Sequence, residues 1–393
     1  MSRSILLKAA LLLAGTLTVM ASAVMAPALP SIQAAFADTP HATFLTKMIL
    51  SGPALVIVLT APLAGQLCDR WGRRPVLLWG LAFYAVGGTS GGYVDSLALI
   101  LVGRAALGVG VAAITTASIA LIADYFEGKE RARLLGLQQA FSHGGAIFLQ
   151  VFSGALADIT WRAPFYTYGI SLILLLLSLF VVAEPPRHAP VAGDAAPAPD
   201  SPRLMILIIQ ATAMMIMGCF YMIPVQIAFF LNEMAGASAL MAGLAIAWMS
   251  FCAMTTSLNY GRLRHFAGHI WMVVLIAAVM SAGFIVLGLS GTYAMAVVGL
   301  SIIGVGFGPM VANQAGWITD IAPGHVRGRA VGGLTLAVFL GQFISTPAIQ
   351  PVISATSYGT AFIVSGCVLA CVGLTYVAAR SWLLRRTETA AAS

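Results

Sequence analysis

Along this chain, stretches of about 20 residues repeatedly pass almost without a charge before a short basic cluster interrupts them. A helix rises about 1.5 Å per residue, so a run of that length covers the roughly 30 Å hydrocarbon core of a bilayer. Twelve such segments lie near 5–29, 44–67, 75–94, 97–122, 134–157, 163–183, 204–231, 238–258, 270–289, 291–317, 330–352 and 358–379. The runs are continuous and do not alternate, which favours helices over a membrane β-barrel. Only 8% of the residues are charged and 60% are hydrophobic, against about 25% charged in a soluble domain. Too little polar surface exists to coat a soluble fold of 393 residues, which argues against a soluble enzyme or a disordered chain. The five cysteines (Cys68, Cys219, Cys252, Cys367, Cys371) lie in or beside apolar runs. They read as small buried hydrophobes, with no disulfide or metal framework expected. An all-α integral membrane protein of twelve transmembrane helices is expected.

The placement of charge gives the orientation. With the amino terminus inside, the short cytoplasmic segments hold 17 of the 20 Lys and Arg residues; Lys47, Arg104 and Arg162 are the remainder. This asymmetry is the positive-inside pattern, and it predicts an even number of spans with both termini cytoplasmic. The net charge of +7 is then a topology signal, and no nucleic-acid partner is expected. The first 23 residues carry a competing reading: a basic start, an apolar stretch and Ala21-Ser22-Ala23 resemble a signal peptide with its cleavage site. Cleavage would leave an odd number of spans and spoil an internal symmetry, so a first span is preferred.

That symmetry appears at an offset of 196 residues. Gly108-Val109-Gly110 falls on Gly304-Val305-Gly306; Ile122, Asp124 and Gly128 fall on Ile318, Asp320 and Gly324; Arg131, Arg133 and Gly136 fall on Arg327, Arg329 and Gly332. Gly65, Leu67 and Gly72 likewise match Gly261, Leu263 and Gly268. Between the halves, residues 184–202 are rich in Pro and Ala and read as a cytoplasmic linker. The expected organisation is a six-helix bundle over 1–183, the linker, a second six-helix bundle over 203–380, and a cytoplasmic tail over 381–393. Parallel repeats of this kind suit a transporter that rocks one bundle against the other.

The loop after the second segment reads Gly65-Gln66-Leu67-Cys68-Asp69-Arg70-Trp71-Gly72-Arg73-Arg74-Pro75. An ordinary basic loop explains its arginines but not its aspartate and glycines. It resembles the signature loop of the major facilitator superfamily, G-x-L-a-D-R-x-G-R-[KR]. Arg104-x3-Gly108-x-Gly110 resembles the Arg-containing motif of proton-driven members of that family, in particular the twelve-helix drug:proton antiporters. The resemblance implies the major facilitator fold, with two pseudo-symmetric bundles. It also implies a conformational gate of Gly65, Asp69, Arg70, Gly72, Arg73 and Asp124. In that gate Asp69 faces the start of the eleventh segment near Arg327–Ala330, and Asp124 pairs with Arg70 or Arg73. Physically, Gly65 and Gly72 permit close packing and a tight turn, and a carboxylate at Asp69 suits the positive end of a helix. His265 stands where Asp69 stands in the first half, so the duplicate gate is degraded. The antiporters' fifth-span motif is broken: Gly136, Gly145 and Gly154 fit, but Leu149-Gln150 replaces Gly-Pro and Ser153 replaces a glycine.

The thirteen acids all fall outside the middle of the segments. Asp69, Asp124, Glu127, Glu130, Glu184, Asp194, Asp200, Asp320 and Glu388 are expected on the cytoplasmic side, and Asp38, Asp95, Asp158 and Glu233 near the outer ends. Arg104 and His143 are the deep charged or titratable groups, with Lys47 shallower. A charge at mid-membrane is costly and marks a candidate function. Arg104 is read with equal weight as a counter-charge for an anionic substrate and as a structural, helix-pairing arginine. His143 shares a stripe with Gln139 and Gln150. It is read either as the proton-coupling group, with Arg104, or as a buried neutral histidine. Gln210, Tyr221, Gln226, Asn313, Gln314, Trp317 and Gln342 complete the candidate substrate lining, though such stripes also serve plain helix packing.

These readings lead to a secondary transporter working by alternating access in a bacterial inner membrane. It exports small neutral or anionic amphiphiles by proton antiport, as a monomer, with the lipid bilayer, protons and a small-molecule substrate as its partners. An importer of an organic anion is the rival within transport, and a membrane-embedded sensor or enzyme the rival of another class. No nucleotide loop, metal cluster or nucleophile–base motif supports an enzyme, and no cofactor is expected.

Overall fold

The computed structural model describes residues 3–185 and 203–385. The expected linker beyond Pro185, the tail beyond Arg385 and the side chains of Gln139 and His143 lie outside the described residues. Every regular element among the described residues is helical. The first half comprises α1 (Arg3–Ala23), α2 (Leu29–Ala35), α3 (Ala42–Trp71), α4 (Arg73–Thr89), α5 (Leu97–Tyr125), α6 (Gly128–Ile159), α7 (Ala163–Tyr166) and α8 (Ile170–Val181). The second comprises α9 (Arg203–Ala235), α10 (Ala239–Leu258), α11 (Tyr260–Phe266), α12 (His269–Gly288), α13 (Tyr293–Phe307), α14 (Met310–Ile321), α15 (Gly324–Ala355) and α16 (Tyr358–Ala378).

A helix stands at each expected segment, and among the described residues ten stretches are long and apolar enough to cross a membrane. Helix α4, at 17 residues, is just short of that length, and in α6 the apolar stretch among the described side chains is Gly144–Ile159. Helices α6 and α15 begin a turn or more before their apolar runs, because charged residues continue the helix beyond its apolar part. Some crossings are composite. Between α1 and α2 the chain tightens into a 3-10 turn at Ala26–Ala28, where Pro27 and Pro30 lack the N–H that an unbroken helix needs.

The chain forms two compact units, Met1–Arg187 with Pro224–Ala247, and His188–Ile223 with Trp248–Ser393. The 196-residue repeat is visible in how each unit packs. In the first, a Cβ on Gly110 would lie 2.7 Å from the Gly80 carbonyl oxygen, and one on Gly87 would collide with the Gly103 carbonyl. In the second, a Cβ on Gly283 would lie 2.9 Å from the Gly299 carbonyl, and one on Gly306 3.0 Å from the Met280 nitrogen. The offset carries Gly87, Gly103 and Gly110 onto Gly283, Gly299 and Gly306. It also carries the approach of Gly108 to the Pro53 carbonyl, 2.9 Å, onto that of Gly304 to the Met249 carbonyl. Helices in lipid associate through such close backbone contact, and any Cβ here would push them apart. The cysteines are less uniform than expected: Cys68 is buried, but Cys367 and Cys371 are exposed.

Candidate functional site

At the arginine-rich end of the first unit, α3 stops at Trp71 and α4 starts at Arg73, so a single residue makes the turn. That residue is Gly72, at φ 106°, a conformation that side chains rarely adopt. The Glu184 carboxylate grips the start of α4. Its Oε1 accepts from the Arg73 backbone N–H and its Oε2 from that of Arg74, each at 2.8 Å. A Cβ on Gly72 would run into the same carboxylate. Arg73 Nε lies 3.0 Å from Asp124 Oδ2, both side chains largely buried, and Arg74 Nη2 donates to the Leu179 carbonyl at 2.9 Å. Arg73, one of the two arginines expected to face Asp124, thus lies beside it.

Asp69 is exposed at the end of α3. A Cβ at Gly65 would meet no described atom within 4 Å. Glu184, expected to open a flexible linker, instead belongs to the packed first unit. The sequence held a signal for it only in its position just beyond the sixth apolar run.

Deeper in this unit, Arg104 is 1% exposed. Its Nε donates to the Ile49 carbonyl at 2.9 Å and its Nη2 to the Ala21 carbonyl at 2.5 Å, with the Tyr168 ring 5.1 Å from its guanidinium carbon. Ala21, part of the signal-peptide-like triplet, is thus an acceptor in a packed core, and Tyr168 Oη donates to the same carbonyl at 3.0 Å. Lys47 is fully buried, with its ammonium 5.0 Å from the centre of the Phe229 ring. Phe229 also lines a cavity of about 300 Å³ with Gln33, Thr43 and Asn232. At the end of α6, Asp158 accepts from the backbone N–H groups of Ala239 and Leu240 at 2.9 and 3.1 Å, capping α10. Gln150 is buried, its carbonyl against Gly243. Gln226 is fully buried, and neither amide atom has a hydrogen-bond partner among the described residues.

The second unit gathers a polar cluster around the start of α12. His269 Nε2 lies 3.0 Å from Asp320 Oδ2, and its Nδ1 lies 3.0 Å from Asn313 Oδ1. Asn313 returns a bond from Nδ2 to the His269 carbonyl at 3.2 Å, and Tyr260 Oη donates to Asn313 Oδ1 at 3.3 Å. Arg264 pairs with the same Asp320 oxygen. Burial pushes the Tyr260 phenol up from its ordinary range, with Arg264 opposing. Trp317 stacks on the His269 ring, centroids 5.8 Å apart and planes 1° from parallel. Asn313 and Trp317 were expected to face a substrate cavity; here they support a histidine that the sequence reading passed over. Gln314, fully buried between them in sequence, has no partner for its amide among the described residues. Gln210 Nε2 donates to the Ala330 carbonyl at 2.9 Å, Tyr221 is buried and Gln342 is half-buried.

Comparison with known proteins decides the family. The model of the Major Facilitator Superfamily matches residues 11–346, and again 213–392. The chain belongs to the Major Facilitator Superfamily. It is similar to the multidrug resistance protein Stp of Mycobacterium tuberculosis, 31% identical over 160 residues, covering 40% of this chain and 29% of that protein. It is also similar to multidrug resistance protein 1 of Bacillus subtilis, 28% identical over 156 residues, covering 37% and 40%. The aligned stretches thus span less than half of these relatives. Among solved structures, a bacterial homologue of the human lysosomal transporter Spinster aligns over 98% of this chain and 97% of its own, with TM-score 0.77 and 19% identity. A D-xylose–proton symporter aligns over 95% and 97%, with TM-score 0.76 and 17% identity. These similarities confirm the fold. The chain is a multi-pass membrane protein of that superfamily.

Proposed function

We propose that this transporter exports small neutral or anionic amphiphiles from a bacterial cell by alternating access, driven by proton antiport. In this reading it crosses the membrane twelve times, as a monomer with both termini in the cytoplasm. The arginine-rich ends of the two units are then cytoplasmic, with Asp69 as a latch that engages in one state of the cycle. One observation carries the substrate class. Among the described residues the charged side chains that are fully buried are Lys47 and Arg104, and no carboxylate joins them. A site for organic cations would need a buried anion to offset the loss of water; a neutral or anionic ligand would not. The multidrug names of the relatives support export. The unpartnered amides of Gln226 and Gln314 are the strongest recognition candidates, since a buried amide lacking a bond gains from any ligand that supplies one.

The test is flux in proteoliposomes with an imposed proton gradient, using an anionic, a neutral and a cationic dye of similar size. Gradient-driven movement of the first two, with the cationic dye at least about tenfold slower, is expected; robust cation flux overturns the substrate class. Asp69→Asn should abolish flux while leaving dye binding in place. His143→Ala should remove substrate-induced proton movement, and an unchanged pH signal ends the role of His143.

A further inference from the structure

The geometry points to His269 as a proton-binding site of the transporter, distinct from His143. The inference rests on the proton-driven reading above and names a place where a proton is held. Both ring nitrogens face oxygen atoms, Nε2 the Asp320 carboxylate and Nδ1 the Asn313 Oδ1, each at 3.0 Å. An imidazolium donates from both nitrogens, whereas a neutral imidazole donates from one and presents a lone pair at the other. The neutral ring therefore leaves one of these two contacts as lone pair against lone pair. Turning the Asn313 amide does not cure this. Its Nδ2 already donates to the His269 carbonyl and its Oδ1 already accepts from Tyr260, so the turned amide would set oxygen against oxygen. The site is shaped for the protonated ring, and the parallel face of Trp317 favours the same cation.

The charges around the ring set the balance. From α11 come Arg264, on the same carboxylate oxygen, and the Tyr260 phenol. Asp320 comes from α14. From α16 and the residues after it come Tyr376, which meets Trp317, and Arg380, which sits over Trp271. Helix α13 brings no titratable side chain to this end. With the proton bound, the group of Asp320, Arg264 and His269 carries one net positive charge, and without it none. Losing the proton therefore breaks one of the two bonds by which the ring ties α12 to α14, on whose buried face Gln314 and Trp317 also lie.

The repeat supplies an internal control. The 196-residue offset carries Arg73 onto His269 and Asp124 onto Asp320, so both units build a cation–carboxylate pair at the same place. In the first the cation is a guanidinium, which keeps its proton at every physiological pH; in the second it is an imidazole, which exchanges near neutrality.

The test uses the full-length protein in nanodiscs with nitrogen-15-labelled histidine, followed by NMR from about pH 8 to about pH 5.5, the range in which imidazole titrates. One ring, absent from His269→Gln, should become protonated on both nitrogens. Asp320→Asn should weaken proton binding at that ring about tenfold or more, the effect of removing a facing opposite charge. A ring that stays neutral throughout, or a midpoint unmoved by Asp320→Asn, overturns the site. In proteoliposomes, His269→Arg, which copies the first unit's fixed pair, should flatten the pH profile of flux over the same range. Gradient-driven flux with an unaltered pH profile in His269→Arg overturns the site alone. Wild-type flux indifferent to the gradient, with the ring titrating as described, overturns proton antiport and leaves the site standing.

Discussion

The arginine-rich ends of the two units are copies of one construction, and they have diverged in three places. The turn residue is Gly72 at φ 106° in the first unit and Gly268 at φ −60° in the second. The residue facing the repeated aspartate is Arg73 in one and His269 in the other. The offset places Arg380 where the first unit has Glu184, so a carboxylate that caps α4 is answered by a guanidinium stacked on Trp271. The first end is thus clamped by a guanidinium and two carboxylates, and the second carries an imidazole where the first has its guanidinium. Duplication kept the backbone plan and left the chemistry free to vary.

The largest effect expected from breaking this comparison is at the turn. Gly72→Ala places a side chain in a strained conformation and against the Glu184 carboxylate, and should lower unfolding stability by about 2–3 kcal/mol. Gly268→Ala meets no described atom within 4 Å and has an ordinary φ, so it should change stability by less than about 0.5 kcal/mol. Thermal unfolding of the two variants in one detergent gives the contrast directly; equal losses would show that the turns are not differently built. Next in size is the aspartate pair. Asp124→Asn leaves Arg73, its side chain 21% exposed, without its carboxylate, and should cost about 1–2 kcal/mol at pH 6 and pH 8 alike. Asp320 is about half exposed, and Arg264 also contacts it. Its replacement should therefore matter less overall, and more at pH 6 than at pH 8. Melting curves at the two pH values measure both.

Much of this was legible in the sequence, and the legible part has a common cause. Hydrophobic runs, the 196-residue offset and the Asp69–Arg74 loop are one-dimensional patterns, and lipid imposes them on the chain with little ambiguity. Helix boundaries were less secure: charged residues extend α6 and α15 beyond their apolar runs, so composition alone misstates where each helix starts. The sites were harder for a different reason. Asn313 and Trp317 could be singled out on their own helix, but their partner His269 lies 44 residues away from Asn313 in the chain, and no periodicity links them. In a basic loop beside Arg262, Arg264 and His265, it read as one more positive residue. Glu184 was hidden by the proline-rich composition that follows it, although it touches residues 110 and 111 positions earlier.

The smallest expected effect tests whether that cap acts by charge or by shape. Glu184→Gln keeps a carbonyl oxygen that can accept one of the two backbone bonds at the start of α4, and loses the second oxygen and the charge. A charged group at a helix start is worth about 0.3–1 kcal/mol, and a side-chain cap about 1 kcal/mol, so a loss of about 1 kcal/mol is expected. Arg380→Gln, at the matching position of the second unit, has no helix start to release and should lose only its stacking on Trp271, about 0.5 kcal/mol. Combining Glu184→Gln with Gly72→Ala then separates the two functions of the carboxylate. If the Cβ at position 72 does its harm by striking Glu184, the double variant should be less destabilised than the sum of the singles, because contacting residues are not additive. Strict additivity would instead assign the whole effect of Gly72→Ala to its backbone angle.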